Sequence, residues 1–105
     1  MAERIVTVSA RIPRSQLREV ERLARARGVD KSSVVRTLLE LGIREEKLRE
    51  ALDLVRERKV SVWRAARRAG IDYREMLAAL RTHNVPFPLS DKELERELRE
   101  LTSNQ

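Results

Sequence analysis

The sequence predicts a mainly α-helical protein with a single β-strand near its N-terminus. Residues 5 to 12 alternate apolar and polar side chains, which is typical of a half-buried strand. Beyond Pro13, apolar residues recur at helical spacing, and glycines and N-capping residues separate the segments. The 105 residues allow one small domain or a minimal domain with an added module, so an enzyme with a deep cleft is not expected.

The predicted strand has an apolar face and a polar face. The apolar face consists of Val6, Val8, Ala10 and Ile12. Because the chain offers no second strand to pair with it, we expect a second copy of the chain to supply the partner. An antiparallel ribbon from two copies would present Thr7, Ser9 and Arg11 outward. Such a ribbon fits the DNA major groove, where arginine bonds to guanine and hydroxyl groups bond to several base edges.

Two helices are expected after the strand. Pro13 suits the first position of a helix that Gly28 ends, and Asp30 caps the next one. The second helix carries apolar residues that we expect to face a core: Val34, Val35, Leu38, Leu39 and Leu41. Helical spacing continues beyond Gly42 to Arg58, which allows either two helices or one long helix bent at the glycine, and we favour the bend.

The sequence of the second half of the chain predicts three short helices. Residues 61 to 82 have the small-residue and glycine spacing of a helix-turn-helix hairpin. Its second helix offers Arg74 and Arg81 but also Glu75, so for this helix we favour simple packing over DNA contact. Ser90 and Glu93 form a capping box before a last helix, which bears Leu94, Leu98 and Leu101 on one stripe.

The order of strand, helix, glycine turn and helix over roughly residues 4 to 45 resembles the ribbon-helix-helix repressors, the family of the Arc and MetJ proteins. The segment Thr7-Val8-Ser9-Ala10-Arg11-Ile12-Pro13 carries this resemblance. It implies a dimer in which Thr7, Ser9 and Arg11 contact DNA bases.

The same resemblance implies a phosphate clamp at the start of the second helix. The backbone amides around Lys31, Ser32 and Ser33 would bind a DNA phosphate there. Asp30 departs from this pattern, because its carboxylate would compete with the phosphate for the same amides.

The second half is also similar to a small uncharacterised prokaryotic family usually assigned to antitoxins of toxin–antitoxin systems. The similarity lies in Val60-Ser61-Val62-Trp63-Arg64-Ala65-Ala66, Ala69-Gly70-Ile71, Val85-Pro86-Phe87 and Ser90-Asp91-Lys92-Glu93-Leu94. It implies that the C-terminal segment binds a toxin, often a PIN-domain ribonuclease, through Val85, Phe87, Leu89, Leu94, Leu98 and Leu101. Residues 86–105 carry three basic and five acidic side chains, which would suit a basic nuclease cleft. The alternative is a tail that folds back on its own core or is disordered.

The composition favours a polyanionic partner. The formal net charge is +6, and 19 of the 23 basic residues are arginine, the side chain that forks onto phosphates and guanine edges. There is no cysteine, and the single histidine, His83, has no metal-ligating neighbour in the sequence, so we expect no catalytic site, metal or cofactor. No apolar run suggests a signal peptide or membrane span, and a cytoplasmic protein is expected.

These observations predict three segments: residues 1–45 for dimerisation and DNA binding, 46–85 for a helical module, and 86–105 for an amphipathic tail. The leading hypothesis is a sequence-specific transcriptional repressor that also acts as the antitoxin of a toxin–antitoxin operon. It is expected to be a dimer, and a higher order on DNA is left open. A free-standing regulator and a protein-interaction adaptor are the alternatives, and a steep salt dependence of DNA binding would separate a regulator from an adaptor. A helix on a membrane surface is disfavoured because aromatic residues are scarce.

Overall fold

The computed structural model describes residues 3–103, and this part of the chain contains five α-helices. They are α1 (Arg14–Arg27), α2 (Lys31–Arg56), α3 (Val62–Ala69), α4 (Tyr73–Thr82) and α5 (Asp91–Ser103). None of the residues 3–103 belongs to a β-strand.

The predicted N-terminal ribbon is therefore wrong, and the fold of the described residues is all-helical instead of ribbon-helix-helix. Residues 5–12 form no strand, and both of their faces are exposed, with Ile5 at 94% and Val8 at 84% exposure. A strand is stabilised by hydrogen bonds to a neighbouring strand, and residues 3–103 provide no such neighbour. The alternating pattern places apolar and polar side chains on opposite faces, but it does not supply a strand to pair with.

The chain divides into two compact units, Met1–Glu40 and Leu41–Gln105. This division falls inside α2, whereas the sequence suggested boundaries after residues 45 and 85. The first unit holds α1 and the first part of α2, and the second holds the remainder of α2 with α3, α4 and α5.

The first unit has a small core. Val20 and Ala24 of α1 are buried with Val34 of α2, and Leu23 packs against them. Gly28 ends α1 in the left-handed conformation, as its position in the sequence predicts. Of the five residues expected to face a core from α2, only Val34 is buried. The other four are exposed: Val35, Leu38, Leu39 and Leu41.

Helix α2 runs without interruption through Gly42, so one long helix, not two separate ones, connects the halves of the sequence. Its C-terminal part contributes Ala51, Leu52 and Val55 to the core of the second unit. Arg58 has φ of +61° just beyond the helix, and the Lys59 N–H donates to the Leu54 carbonyl at 2.9 Å, which closes the last turn.

The core of the second unit is larger and apolar. It combines α2, α3 and α4 with Val85 of the segment that follows α4. Its buried members from the two short helices and the segments beside them are Val60, Val62, Ala65, Ala66, Ala69, Met76 and Leu80. Helix α3 packs against both α4 and α5, so it is the central element of the site described next.

A candidate nucleic-acid interface on α3, α4 and α5

Helix α3 has one apolar face and one basic face. Its small and branched apolar residues point into the core, while Arg64, Arg67 and Arg68 are exposed. Spacings of three and four residues place these arginines on neighbouring positions of the helix surface. The Ser61 side chain caps the helix by accepting the Arg64 N–H at 3.0 Å. The outer surface of α3 is consequently cationic.

A tight turn connects α3 to α4. Gly70 ends α3 with φ of +72°, and the Ile71 N–H donates to the Ala66 carbonyl at 3.1 Å. Asp72 then caps α4 by accepting the Glu75 N–H at 2.8 Å. Two short helices joined by a glycine-containing turn of this length form a helix-turn-helix hairpin.

The outward face of α4 carries two arginines and also Glu75, which is exposed. Met76 and Leu80 are buried beneath the helix, whereas Arg74, Ala78 and Arg81 are exposed. The last three residues are spaced i, i+4 and i+7, which places them on one stripe. Because Ala78 is small, it allows close approach of another surface between two guanidinium groups.

Helix α5 is oriented with three of its four glutamates toward the protein and two of its leucines exposed. Glu93 and Glu97 are buried, with Glu97 only 3% exposed, whereas Leu98 is 64% exposed and Leu94 is also exposed. The Val62 N–H donates to Glu97 Oε2 at 2.6 Å, and the Trp63 N–H donates to Oε1 at 3.4 Å. Burial raises the pKa of Glu97, an effect that these two donors oppose.

Two further contacts join α5 to the start of α3. Glu100 accepts a hydrogen bond from the Ser61 hydroxyl, and its Oε1 lies 3.5 Å from Arg64 Nη2. Ser90 caps α5 by accepting the Glu93 N–H at 3.3 Å, as the capping box predicted. The side-chain hydrogen bond from Ser90, helped by the nearby Arg58, lowers the pKa of Glu93.

The residues predicted to read bases lie in the first unit. Thr7, Ser9 and Arg11 are exposed, and no hydrogen bond or ion pair joins them to other residues in the range 3–103. They are accessible to a ligand, but the ribbon that was expected to align them is absent from the described residues.

The predicted phosphate clamp is engaged within the chain. The Ser33 N–H donates to Asp30 Oδ1 at 2.8 Å, and this backbone hydrogen bond lowers the pKa of Asp30. Lys31 Nζ lies 3.9 Å from Glu21 Oε2, and Ser32 is exposed. Asp30 thus takes one of the amides that the resemblance assigned to a phosphate.

The predicted partner anchors fall into three groups. Val85 is buried in the core of the second unit and Phe87 packs against that core, so both stabilise the fold. Three others are exposed: Leu89, Leu94 and Leu98. Leu101 is half-buried.

Three of the five acidic side chains in the tail point toward the protein. Glu93 and Glu97 are buried and Glu100 is half-buried, which leaves Asp91 and Glu95 exposed. The sequence shows where these carboxylates lie along α5, but only the structure shows that Glu97 and Glu100 contact the start of α3. The sequence also did not indicate the role of Ala78, because a single alanine in a helix carries no signal of its own.

Two other kinds of site are absent from the described part of the chain. Residues 3–103 contain no group of three or more histidine, cysteine, aspartate or glutamate side chains that could hold a metal ion. No helix among them is long and apolar enough to cross a bilayer.

The fold and the site define a class. Over its described residues the protein is all-helical, with a basic helix-turn-helix hairpin formed by α3 and α4, and α5 packs against α3. Residues 21–103 match the model of Uncharacterised protein family UPF0175, and the chain belongs to this family. The hairpin and α5 lie within the matched range, and residues 5–12 lie outside it. No curated protein and no solved structure matched the chain.

Proposed function

We propose that this protein is a homodimeric, sequence-specific DNA-binding transcriptional regulator that contacts duplex DNA with the α3–α4 hairpin. In this mode α4 enters the major groove and α3 crosses the phosphate backbone, as in other helix-turn-helix proteins. The observation that carries the proposal is the exposed stripe of Arg74, Ala78 and Arg81 on α4, behind which Met76 and Leu80 are buried.

The charges of the hairpin support this assignment. Arginine bonds bidentately to guanine in the major groove, and Arg74 and Arg81 have no ion-pair partner among residues 3–103. On α3, Arg68 is exposed beside Arg64 and Arg67 and suits a phosphate contact. In the first unit, Thr7, Ser9 and Arg11 stay proposed base contacts, as exposed residues without a partner strand.

Binding to a duplex that spans the promoter of the protein's own operon tests the proposal. We expect Arg74→Ala and Arg81→Ala each to weaken binding by about 1–3 kcal/mol and to relax the preference at one base pair. Arg68→Ala should weaken binding to all sequences alike and reduce the slope of log K against log salt by about 0.9.

Arg44→Ala is the matched control, because Arg44 is an exposed arginine of α2 outside the hairpin. An equal loss of affinity in the Arg44, Arg74 and Arg81 variants would show that only total charge matters, and the hairpin would then have no reading role.

We also propose a protein partner for α5, which would make the regulator an antitoxin. The exposed Leu94 and Leu98 form an apolar stripe, and Asp91 and Glu95 precede them by three residues each and lie beside them on the helix. This surface fits an apolar groove with a basic rim. A small ribonuclease toxin of the PIN-like type has the cationic substrate surface that would supply such a rim.

A further inference from the structure

The start of α3 already binds negative charge within the protein. The first two amides of α3 donate to Glu97, and Glu100 accepts from Ser61 and pairs with Arg64. These groups lie at the positive end of the helix dipole, where an anion is stabilised. Two carboxylates of α5 therefore already accept hydrogen bonds from this end of α3 and balance its positive charge.

The same end of α3 borders the surface that the proposed function assigns to the DNA backbone. A helix that crosses the backbone presents its N–H groups and arginines to phosphates. Arg64 is the first exposed arginine of that surface, and Glu100 Oε1 is 3.5 Å from its guanidinium. A phosphate and the α5 carboxylates would thus compete for one positively charged region.

The contact between α5 and α3 is polar, which makes it weak compared with an apolar interface. Glu97 is nearly fully buried, and a buried carboxylate is costly to keep ionised unless its hydrogen bonds compensate. Burial accordingly raises its pKa. Leu98, which could have stabilised docking by apolar burial, is 64% exposed instead, and Leu94 is 36% exposed. The contact of α5 with α3 thus places negative charge at α3 and does not enlarge the apolar core.

We propose that α5 is an autoinhibitory helix, whose Glu97 and Glu100 hold the N-terminal end of α3 and Arg64 in place of a DNA phosphate and so lower the affinity for DNA. This inference rests on the proposed DNA-binding function. It adds a regulatory role for α5: any event that releases these two carboxylates from α3 increases DNA binding.

The test compares three single substitutions in the full chain, Glu97→Gln, Glu100→Gln and Glu95→Gln, by their dissociation constants for the same promoter duplex. All three remove one negative charge from α5, but Glu95 is exposed and makes no contact with α3 among the described residues. We expect Glu97→Gln and Glu100→Gln to bind about three- to tenfold more tightly than the unmodified protein, and Glu95→Gln to change affinity by less than about twofold.

Two further measurements separate an effect on DNA binding from misfolding of a variant. Glu100 is half-buried, so Glu100→Gln should retain the helical circular dichroism spectrum even if Glu97→Gln does not. Combining Glu100→Gln with Arg64→Ala should remove the gain in affinity, because the released guanidinium is what binds the phosphate.

The outcomes separate this inference from the proposed function. Tighter binding confined to the Glu97 and Glu100 variants, lost in the Arg64 double variant, supports autoinhibition. Equal affinities in all three single variants, with clear binding by the unmodified protein, would refute autoinhibition alone. Absence of DNA binding by every variant would refute the DNA-binding function and this inference together.

Discussion

Gly70 lies between the two helices of the hairpin with φ of +72°, in the left-handed region that side chains with a Cβ rarely adopt. No atom lies within 4 Å of the position that a Cβ would occupy there. Gly42 also has open space around its Cβ position, but it lies inside α2. The two glycines therefore differ in backbone conformation and not in steric surroundings.

This difference predicts opposite effects of alanine on stability. Gly70→Ala should lower the free energy of unfolding by about 1–2 kcal/mol, because alanine is strained in the left-handed conformation. Gly42→Ala should raise it by about 0.5–1 kcal/mol, because alanine favours the helix interior. Urea denaturation followed by circular dichroism measures both values, and a shift of the same sign in both variants would contradict this account of the turn.

At the scale of elements, α5 differs most from the expectation for an amphipathic helix. A helix normally buries its apolar stripe and exposes its charges. Here the hydrogen-bond donors at the start of α3 attract Glu97 and Glu100, and the rotation that satisfies them leaves Leu98 in solvent. An exposed apolar stripe with acidic neighbours is the property expected of a partner-binding surface.

The proposed partner gives a direct test of this surface. If a small nuclease is encoded beside this gene, Leu98→Glu should weaken binding to it by more than about tenfold, because the substitution places a charge in the apolar contact. Isothermal titration calorimetry measures the affinity. The unfolding free energy should stay nearly unchanged, since Leu98 is already exposed.

Leu17→Glu is the matched control, because Leu17 is an exposed leucine of α1, outside α5. Equal binding by the unmodified protein and the Leu98 variant, or a neighbouring gene that encodes no nuclease, would remove the support for an antitoxin.

At the scale of the whole molecule, the first unit buries little apolar surface for its size. Its core among the described residues consists of Val20, Ala24 and Val34, with Leu23 packed against them. Units of about 40 residues usually need a metal, a disulfide or a second copy for stability, and the chain has no cysteine. Val35, Leu38 and Leu39 form an exposed apolar stripe on α2. We therefore expect a second copy of the chain to cover this stripe.

Sedimentation velocity over a range of protein concentrations checks this expectation. The unmodified protein should sediment as a dimer, and Leu39→Glu should raise the dissociation constant of the dimer at least about tenfold by placing a charge in an apolar contact. Leu98→Glu, on α5, should leave the dimer intact. A monomer at all concentrations would show that the first unit needs no second copy.

Much of the helical architecture could be predicted from local sequence. The ends of α1 and α3 follow from Gly28 and Gly70, and the starts of α2 and α4 follow from Asp30 and Asp72. These signals are reliable because a cap involves residues only a few positions apart, so no distant partner is required.

The ribbon could not be predicted in the same way. Alternation in residues 5–12 describes a possible strand, but a strand forms only when another strand accepts and donates its backbone hydrogen bonds. The orientation of α5 could not be predicted either, because the leucine stripe taken alone indicates that the leucines are buried. The contact of Glu97 with Val62 joins residues 35 positions apart, and periodicity within one helix contains no information about it.

The sequence by itself determined the basic character of the chain, the helix-turn-helix spacing and the capping of its helices, because these depend on composition and on neighbours within one or two turns. Only the tertiary structure decided that Arg74 and Arg81 face solvent and that Glu97 and Glu100 of α5 face the start of α3. The physical reason is that burial and charge pairing are set by which helices meet in space. Where α5 packs against α3, a cationic surface lies next to the carboxylates that are proposed to inhibit it.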